Sequence, residues 1–395
     1  MSTTPDQSSS SQPPPAPMPA TSSGSTEIAA SREDENRLRV FPCESCGADL
    51  EFQIGAQSLQ CSHCGFVKKL DIDPDATVGE QDFKETLERL VKQRGLARTE
   101  EKDLKQIRCA SCGGTVRFIG TITSTECAYC GVPLQLEGVH DATEGIPVDG
   151  VLTFLIDRKT ARANLKTWVR SRWFAPNDFK SRGVQGRFNG VYLPFWTFDS
   201  LTFNRYSGQR GIHYTVTVGT GKSKRRVTRT RWYPASGSFQ RFFDDVLVIA
   251  GRGLPERRIT ALEPWPLNKC APFNPQMLAG FLARTYDIPL DKGFDDAKER
   301  MAGAIETEVR QRIGGDVQRI SSINTRHDAV TYKHLLLPVW MLAYRYGKKS
   351  YQVVVNAGTG EVQGDRPWSW IKITLAVLAG LAGLSGIALI YYYNQ

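Results

Sequence analysis

The stretch IHYTVTVGTGKSKRRVTRTRWYP, residues 212–234, decides what kind of protein this chain can be. Its centre, Gly221-Lys222-Ser223, has the last three letters of a phosphate-binding loop, G-x-x-x-x-G-K-[ST]. In such a loop the first glycine lets the chain turn so that successive N–H groups point at phosphate oxygens. That glycine would have to stand at 216, and the residue there is Val216. An amphipathic helix should follow, with its N-terminus on the phosphates. Instead, β-branched residues alternate with arginine up to Pro234, which is strand chemistry. The run before the glycines alternates too, with Ile212, Tyr214, Val216 and Val218 on one face. Two alternating runs around Gly219 and Gly221 predict a β-hairpin whose glycines supply positive φ. FFDDVLVIAG, residues 242–251, carries its acids before the apolar run, so it offers no acidic strand end to hold magnesium. The stretch argues against an ATP-driven motor.

The hairpin also holds the charge. The 395-residue chain has a formal net charge of +9. Between Arg205 and Ile259 there are 12 Lys/Arg against 3 acids, an excess equal to that net charge. Lys222, Lys224, Arg225, Arg226, Arg229 and Arg231 are therefore candidates for binding an acidic partner: nucleic acid, anionic lipid or an acidic protein surface. A solvated hairpin with no partner is the alternative. Residues 1–36 are Ser, Pro, Thr and Ala with almost no large apolar side chain. They cannot offset the entropy of ordering and are expected to be a disordered arm, and they lack the basic start and apolar block of a signal peptide.

Eight of the nine cysteines fall into two matching sets. Cys43-x2-Cys46 is followed after 14 residues by Cys61-x2-Cys64, and Cys109-x2-Cys112 is followed after 14 residues by Cys127-x2-Cys130. A glycine follows each pair, at Gly47, Gly65, Gly113 and Gly131. In such a knuckle two thiolates converge on one ion, and the glycine relieves the backbone where N–H groups approach sulfur. ADLEFQIGAQSLQ and GTVRFIGTITSTE, between the pairs, read as short strands around a glycine. Two zinc ribbons result, at 37–73 and 106–140, and the duplicated spacing favours zinc over disulfides or redox-active pairs. With four thiolates per ion, both zinc ions are expected to be structural. His63 reads as a spectator and Cys270 as an unpaired thiol. Between the ribbons, at 74–105, Phe83, Leu87, Leu90 and Val91 have helical spacing, and the helix is expected to end at Gly95.

From 146 to 367 the pattern is α+β and repeats itself. GVYLPFWTFDSLTFNRYSG (190–208) and HLLLPVWMLAYRYGKKSYQ (334–352) share an L-P-x-W strand, and each is preceded by a helical stretch. The expectation is a duplicated helix-plus-antiparallel-sheet region with halves at about 146–260 and 261–367. Both GTG stretches, 219–221 and 358–360, would be turns. Phe195, Trp196, Trp340 and Tyr344 read as core. Asp199, Asp244 and Asp245 could be a paired-carboxylate site, but with no histidine or further acid at a telling spacing they read as turn and cap residues. The histidines suggest no triad, and no small-molecule substrate is evident.

ITLAVLAGLAGLSGIALI, residues 373–390, has no charged side chain and as a helix covers about 27 Å. With Trp368 and Trp370 before it and Tyr391–Tyr393 after it, the segment 371–393 reads as one transmembrane helix. Arg366 and Lys372 lie on its near side, so the large N-terminal part is expected in the cytoplasm, where reducing conditions suit thiolate sites.

The phrases GVYLPFWTFD, YSGQRG, FDDVLV, LEPW, LAGF, IGGD, KHLLLPVW and VNAGTGEVQGDRP, together with the cysteine sets, make the chain resemble a bacterial family of zinc-ribbon membrane proteins from Leu38 to Lys372. Members are often labelled as like primosomal protein N-prime, the replication-restart helicase, or as carrying a TFIIB-type zinc ribbon. The helicase label rests on the cysteine knuckles, because the motor residues are not in this sequence. The resemblance implies cytoplasmic partners of the phage-shock or flotillin-like membrane-coat type, and it implies no catalytic residues. The expectation is a non-enzymatic, tail-anchored adaptor at the inner membrane. The alternative is a membrane-tethered nucleic-acid binder.

Overall fold

A computed structural model describes residues 41–56, 58–70, 76–96, 104–108, 115–119, 124–126, 133–135, 140–141, 146–178, 187–252, 254–284, 286–346 and 349–393. The Ser/Pro-rich arm and Cys109, Cys112, Cys127 and Cys130 lie outside the described residues. Strands β1 (Leu50–Gln53), β2 (Ser58–Cys61) and β3 (Val67–Lys69) form the antiparallel sheet of the first ribbon. β4 (Gln81–Asp82) then leads into helix α1 (Phe83–Leu96), whose first turn is capped by Asp82 Oδ1 accepting from the Glu85 N–H at 2.7 Å. Phe83, Leu87 and Leu90 pack into the core as the spacing predicts, but Val91 is exposed. A stripe of i, i+4, i+7 is enough to cover the sheet here, and Val91 falls beside it.

Five short strands follow, β5 (Leu104–Arg108), β6 (Thr115–Ile119), β7 (Ser124–Glu126), β8 (Pro133–Gln135) and β9 (His140–Asp141), in two small sheets. The body follows: β10 (Gly150–Val151), α2 (Arg158–Ser171), β11 (Arg187–Val218), β12 (Arg225–Ile249), α3 (Glu256–Thr260), β13 (Ala271–Pro272), β14 (Leu282–Ala283), α4 (Leu290–Ile313), β15 (Val317–Tyr346), β16 (Lys349–Asn356) and β17 (Val362–Gly364). The last helix, α5, spans Trp370–Tyr393.

The expected hairpin is the tip of a far longer one. β11 has 32 residues, about 100 Å of contour, and pairs antiparallel with β12 from Phe195↔Ile249 to Val218↔Arg225. Val218 and Arg225 are joined by a turn in which Ser223 N–H and Oγ both bond to Thr220 O. Gly219 and Gly221 have φ of 103° and 59°, conformations other residues resist. No helix follows the Gly221-Lys222-Ser223 triplet, so it belongs to a hairpin turn. The second GTG stretch also turns, between β16 and β17, with Gly360 N–H on Asn356 O.

The expected division into two helix-plus-meander halves is not what the sheet shows. β11 and β15, one from each segment, pair with each other along most of their length in a single nine-stranded sheet. The two L-P-x-W strands are neighbours, with Leu193 opposite Leu337 and Tyr192 opposite Pro338. Each tryptophan is tied to the other segment's helix: Trp196 Nε1 donates to Ile288 O, just ahead of α4, and Trp340 Nε1 donates to Ile156 O, just ahead of α2. This central pairing makes the segments interlock instead of standing apart. Phe195, Trp196 and Trp340 are buried, as expected of core.

Helices α2 and α4 follow one another along one face of the sheet. α2 lies toward Phe188 and Trp340, and α4 covers Tyr206, Phe239 and Phe243 with Ile305, Val309 and Ile313. The opposite face is covered by Leu254, Ile259, Leu262 and Trp265.

Candidate metal centre, basic face and membrane end

The first cysteine set converges. Gly47 and Gly65, at φ 73° and 77°, turn the chain so that their N–H groups bond back to Cys43 O and Cys61 O. The four Sγ atoms of Cys43, Cys46, Cys61 and Cys64 lie within 4.8 Å of one another, an arrangement that can hold a metal ion. Cys43 and Cys64 are 3.6 Å apart and Cys46 and Cys61 3.5 Å, far beyond the roughly 2.05 Å of a disulfide. Four sulfurs about 2.3 Å from a tetrahedral ion would stand about 3.8 Å apart, so the set fits such an ion. The Cys61 thiol is lowered to about 6, first by the Cys64 backbone amide and further by that of His63. Cys46 goes up to about 12: the Ala48 amide favours its thiolate, but the neighbouring thiols and desolvation outweigh it. Thiolates this close repel unless a cation joins them.

This ribbon is not a free-standing module. Leu50, Phe52, Leu59, Cys43 and Cys61 share one core with Met277, Ala279 and Trp340 of the body. The Phe52 N–H donates to Ala279 O at 3.1 Å. Among the described residues this is the one four-cysteine group, because the second set lies outside them.

The register sorts the six basic residues of the hairpin. Ile212, Tyr214, Val216 and Val218 stand opposite Arg231, Arg229, Val227 and Arg225, so these eight share a face. Arg226 stands opposite Thr217 on the other face, among His213, Thr215, Thr228 and Thr230. Lys222 is in the turn, and Lys224 follows it, exposed. The Arg231 guanidinium lies 5.2 Å from the Tyr214 ring centroid. The candidates thus do not form one patch: Arg225, Arg229 and Arg231 flank an apolar column, and Arg226 points away from it.

At the other end of the molecule, α5 is long and apolar enough to cross a membrane, with a mean hydropathy of 2.3 over its best window and none of that window buried. Its start is pinned to the loop after α2. Ser369 N–H donates to Phe174 O, and Lys372 Nζ donates to Ala175 O at 2.9 Å and Asn177 Oδ1 at 2.7 Å. That loop carries Trp173, 74% exposed, whose carbonyl accepts from Lys372 Nζ at 3.3 Å; Trp368 and Trp370 are exposed as well. Trp173 thereby joins the two tryptophans read from the sequence; no linear signal could have found it, because it lies about 200 residues upstream.

Sequence reasoning also missed a charge cluster. Asp199, Asp244 and Asp245 do not serve merely as turn and cap residues: their carboxylates come within 4.8 Å of one another where both neighbours of β11 bulge around Asp199. Asp199 is buried, and one of its oxygens accepts the Asp245 N–H. Lys333 Nζ sits 2.9 Å from Asp245, 3.3 Å from Glu80 and 3.8 Å from Asp199. The lysine supplies a cation from within the chain, and Glu80 ties the segment ahead of α1 to the sheet. Burial raises the Asp199 carboxyl to about 6. Glu80 is held below its usual value, chiefly by the Thr331 hydroxyl.

The chain is similar to "Uncharacterized protein YdjG" of Bacillus subtilis strain 168, at 27% identity over 357 residues, which cover 88% of this chain and 96% of that protein. No protein-family model and no solved structure matches.

Proposed function

We propose that this protein is a non-enzymatic adaptor, anchored in the inner membrane by α5, that holds cytoplasmic protein partners at the membrane face. The observation that carries the reading is the opposition of its two ends. α2 runs from Trp340 past Phe188 toward the loop that grips α5, whereas the basic hairpin tip is at the far end of the same strand. A chain built this way offers a charged, partly apolar surface well away from its anchor. Arg366 lies just ahead of the span and Lys372 in its first turn, a basic near side that supports a cytoplasmic body. In that reducing compartment a four-thiolate set selects zinc, and with no open coordination position the ion is structural. Two zinc ions per chain are proposed, the second on Cys109, Cys112, Cys127 and Cys130. The partners proposed are of the phage-shock or flotillin-like coat type that the sequence resemblance implies.

The test compares cells carrying the full chain with cells carrying a chain that ends before Ile371. A cytoplasmic protein should accompany the full chain into the membrane fraction and stay soluble with the shortened one. If no protein changes its distribution across the proteome, the adaptor reading fails. A second reading, a tethered nucleic-acid binder, is favoured by the Arg231–Tyr214 contact, since arginine and tyrosine together make a platform for bases. It expects binding that falls steeply with salt and is lost when Arg225, Arg229 and Arg231 are neutralised.

A further inference from the structure

The sheet face that α4 covers does not end where α4 ends. Tyr206, on the covered face, stands two, four and six residues before Gly208, Arg210 and Ile212, and the β11–β12 register runs through this stretch without a shift. Ile313, the last residue of α4, lies over Gly208. Beyond it the same face continues uncovered, as Ile212, Tyr214, Val216 and Val218 of β11 beside Tyr233, Arg231, Arg229, Val227 and Arg225 of β12. Ile212, Tyr214, Val218 and Tyr233 are each 38–41% exposed, so four of the large apolar side chains left in solvent outside α5 gather here.

α4 itself shows what this kind of face accepts. It lays Met301, Ile305, Val309 and Ile313 on the sheet and sets Glu308 beside them, 3.2 Å from Arg241 of β12. On the uncovered stretch the apolar column and the arginines of the same strand recur, but the helix and its glutamates do not. We propose that the hairpin tip docks an acidic amphipathic helix of a partner protein, which prolongs α4 along the sheet. The proposal rests on the adaptor reading and names the chemistry of its partner.

Three other occupants fit less well. A second copy of the face would oppose Arg225, Arg229 and Arg231 to the same three arginines. The headgroups of the anchoring membrane are at the opposite end of β11. Nucleic acid uses arginine and tyrosine but leaves Ile212, Val216, Val218 and Val227 without a counterpart, whereas the apolar stripe of a helix covers them. Seven strand residues span about 24 Å, the length of about 16 helical residues.

The test uses the full chain in detergent micelles and a synthetic helix of about 18 residues with one leucine stripe flanked by glutamates. A second peptide replaces the glutamates with lysines. The glutamate peptide should bind the parent, and Arg229→Glu with Arg231→Glu should weaken it about tenfold or more. The lysine peptide should prefer that reversed variant, so the charge exchange shows that the hairpin is still folded. Arg226→Glu, on the other face, should leave binding unchanged. The proposal is overturned if the glutamate peptide does not bind, if Arg226→Glu matters as much as the double reversal, or if phosphatidylglycerol vesicles or a single-stranded oligonucleotide displace the peptide from this face. Failure here with a partner still recruited to membranes would leave the adaptor reading standing and move the docking site elsewhere. If no partner is recruited, it is the adaptor reading that falls.

Discussion

Cys61 is a candidate metal ligand whose neighbours Leu50, Phe52 and Leu59 belong to the core of the body. Cys61→Ser should therefore lower the zinc content by one ion per chain and also lower the melting temperature of the body. A loss of about 2 kcal/mol corresponds to roughly 4–8 °C for a domain of this size. Elemental analysis and calorimetry check both, and a lost ion with an unchanged body transition would show that the ribbon is independent. Asp199 carries a pH dependence. Its folded value is raised, from 3.8 to about 6, so its contribution to stability is complete below pH 3.8 and is lost as pH rises through about 6. On the order of 2–3 kcal/mol is at stake. Glu80 is lowered and acts in the opposite sense only below its ordinary range, so between pH 5 and 7 it does not mask Asp199, and comparison with Asp199→Asn removes the other titrating groups. Melting curves of the parent should thus lose stability relative to Asp199→Asn as pH rises from 5 to 7, and parallel curves would refute the assignment. The cysteine ligands were legible in the sequence because both pairs have short, fixed spacings. The Glu80–Asp199–Asp245–Lys333 cluster was not, because its members come from four distant segments and meet only through paired bulges.

Gly293 shows how tightly α4 is seated on the sheet. A Cβ there would stand 2.5 Å from Trp196 Cδ1, and Trp196 is itself fixed by its bond to Ile288 O. In an exposed helix, Gly→Ala gains about 1 kcal/mol. Here overpacking against a buried indole costs about 1–3 kcal/mol, so Gly293→Ala should be neutral to destabilising; denaturant unfolding with a clear gain in stability would contradict the packing. The hairpin was legible from alternation and its turn glycines. The 32-residue strand was not, because Gly208 and Gly211 look like breaks. In the structure they are points of close approach: a Cβ on Gly208 would come within 2.3 Å of Arg319 O, and one on Gly211 within 2.5 Å of Val317 Cγ2. Glycine keeps the strands together there instead of turning the chain. The L-P-x-W repeat was visible as two similar phrases, but that they pair with each other depends on long-range register, which local pattern does not carry.

The described residues form a long sheet with a helix apolar enough to cross a membrane at one end and a charged, half-covered face at the other, and the proposed work depends on that separation. If α5 spans the bilayer and Lys372 holds the loop at Ala175 and Asn177 against its first turn, Trp173 must sit at the membrane surface. The turn at Thr220 then lies beyond the far end of a strand about 100 Å in contour. Energy transfer to labelled lipids, measured on the full chain in liposomes with a fluorescent amino acid placed at Asn177 or at Thr220, tests this most directly. Strong transfer from position 177 and little from position 220 is the predicted result. Equal transfer from both positions would contradict it, because the basic face would then lie against the membrane and not out toward a partner.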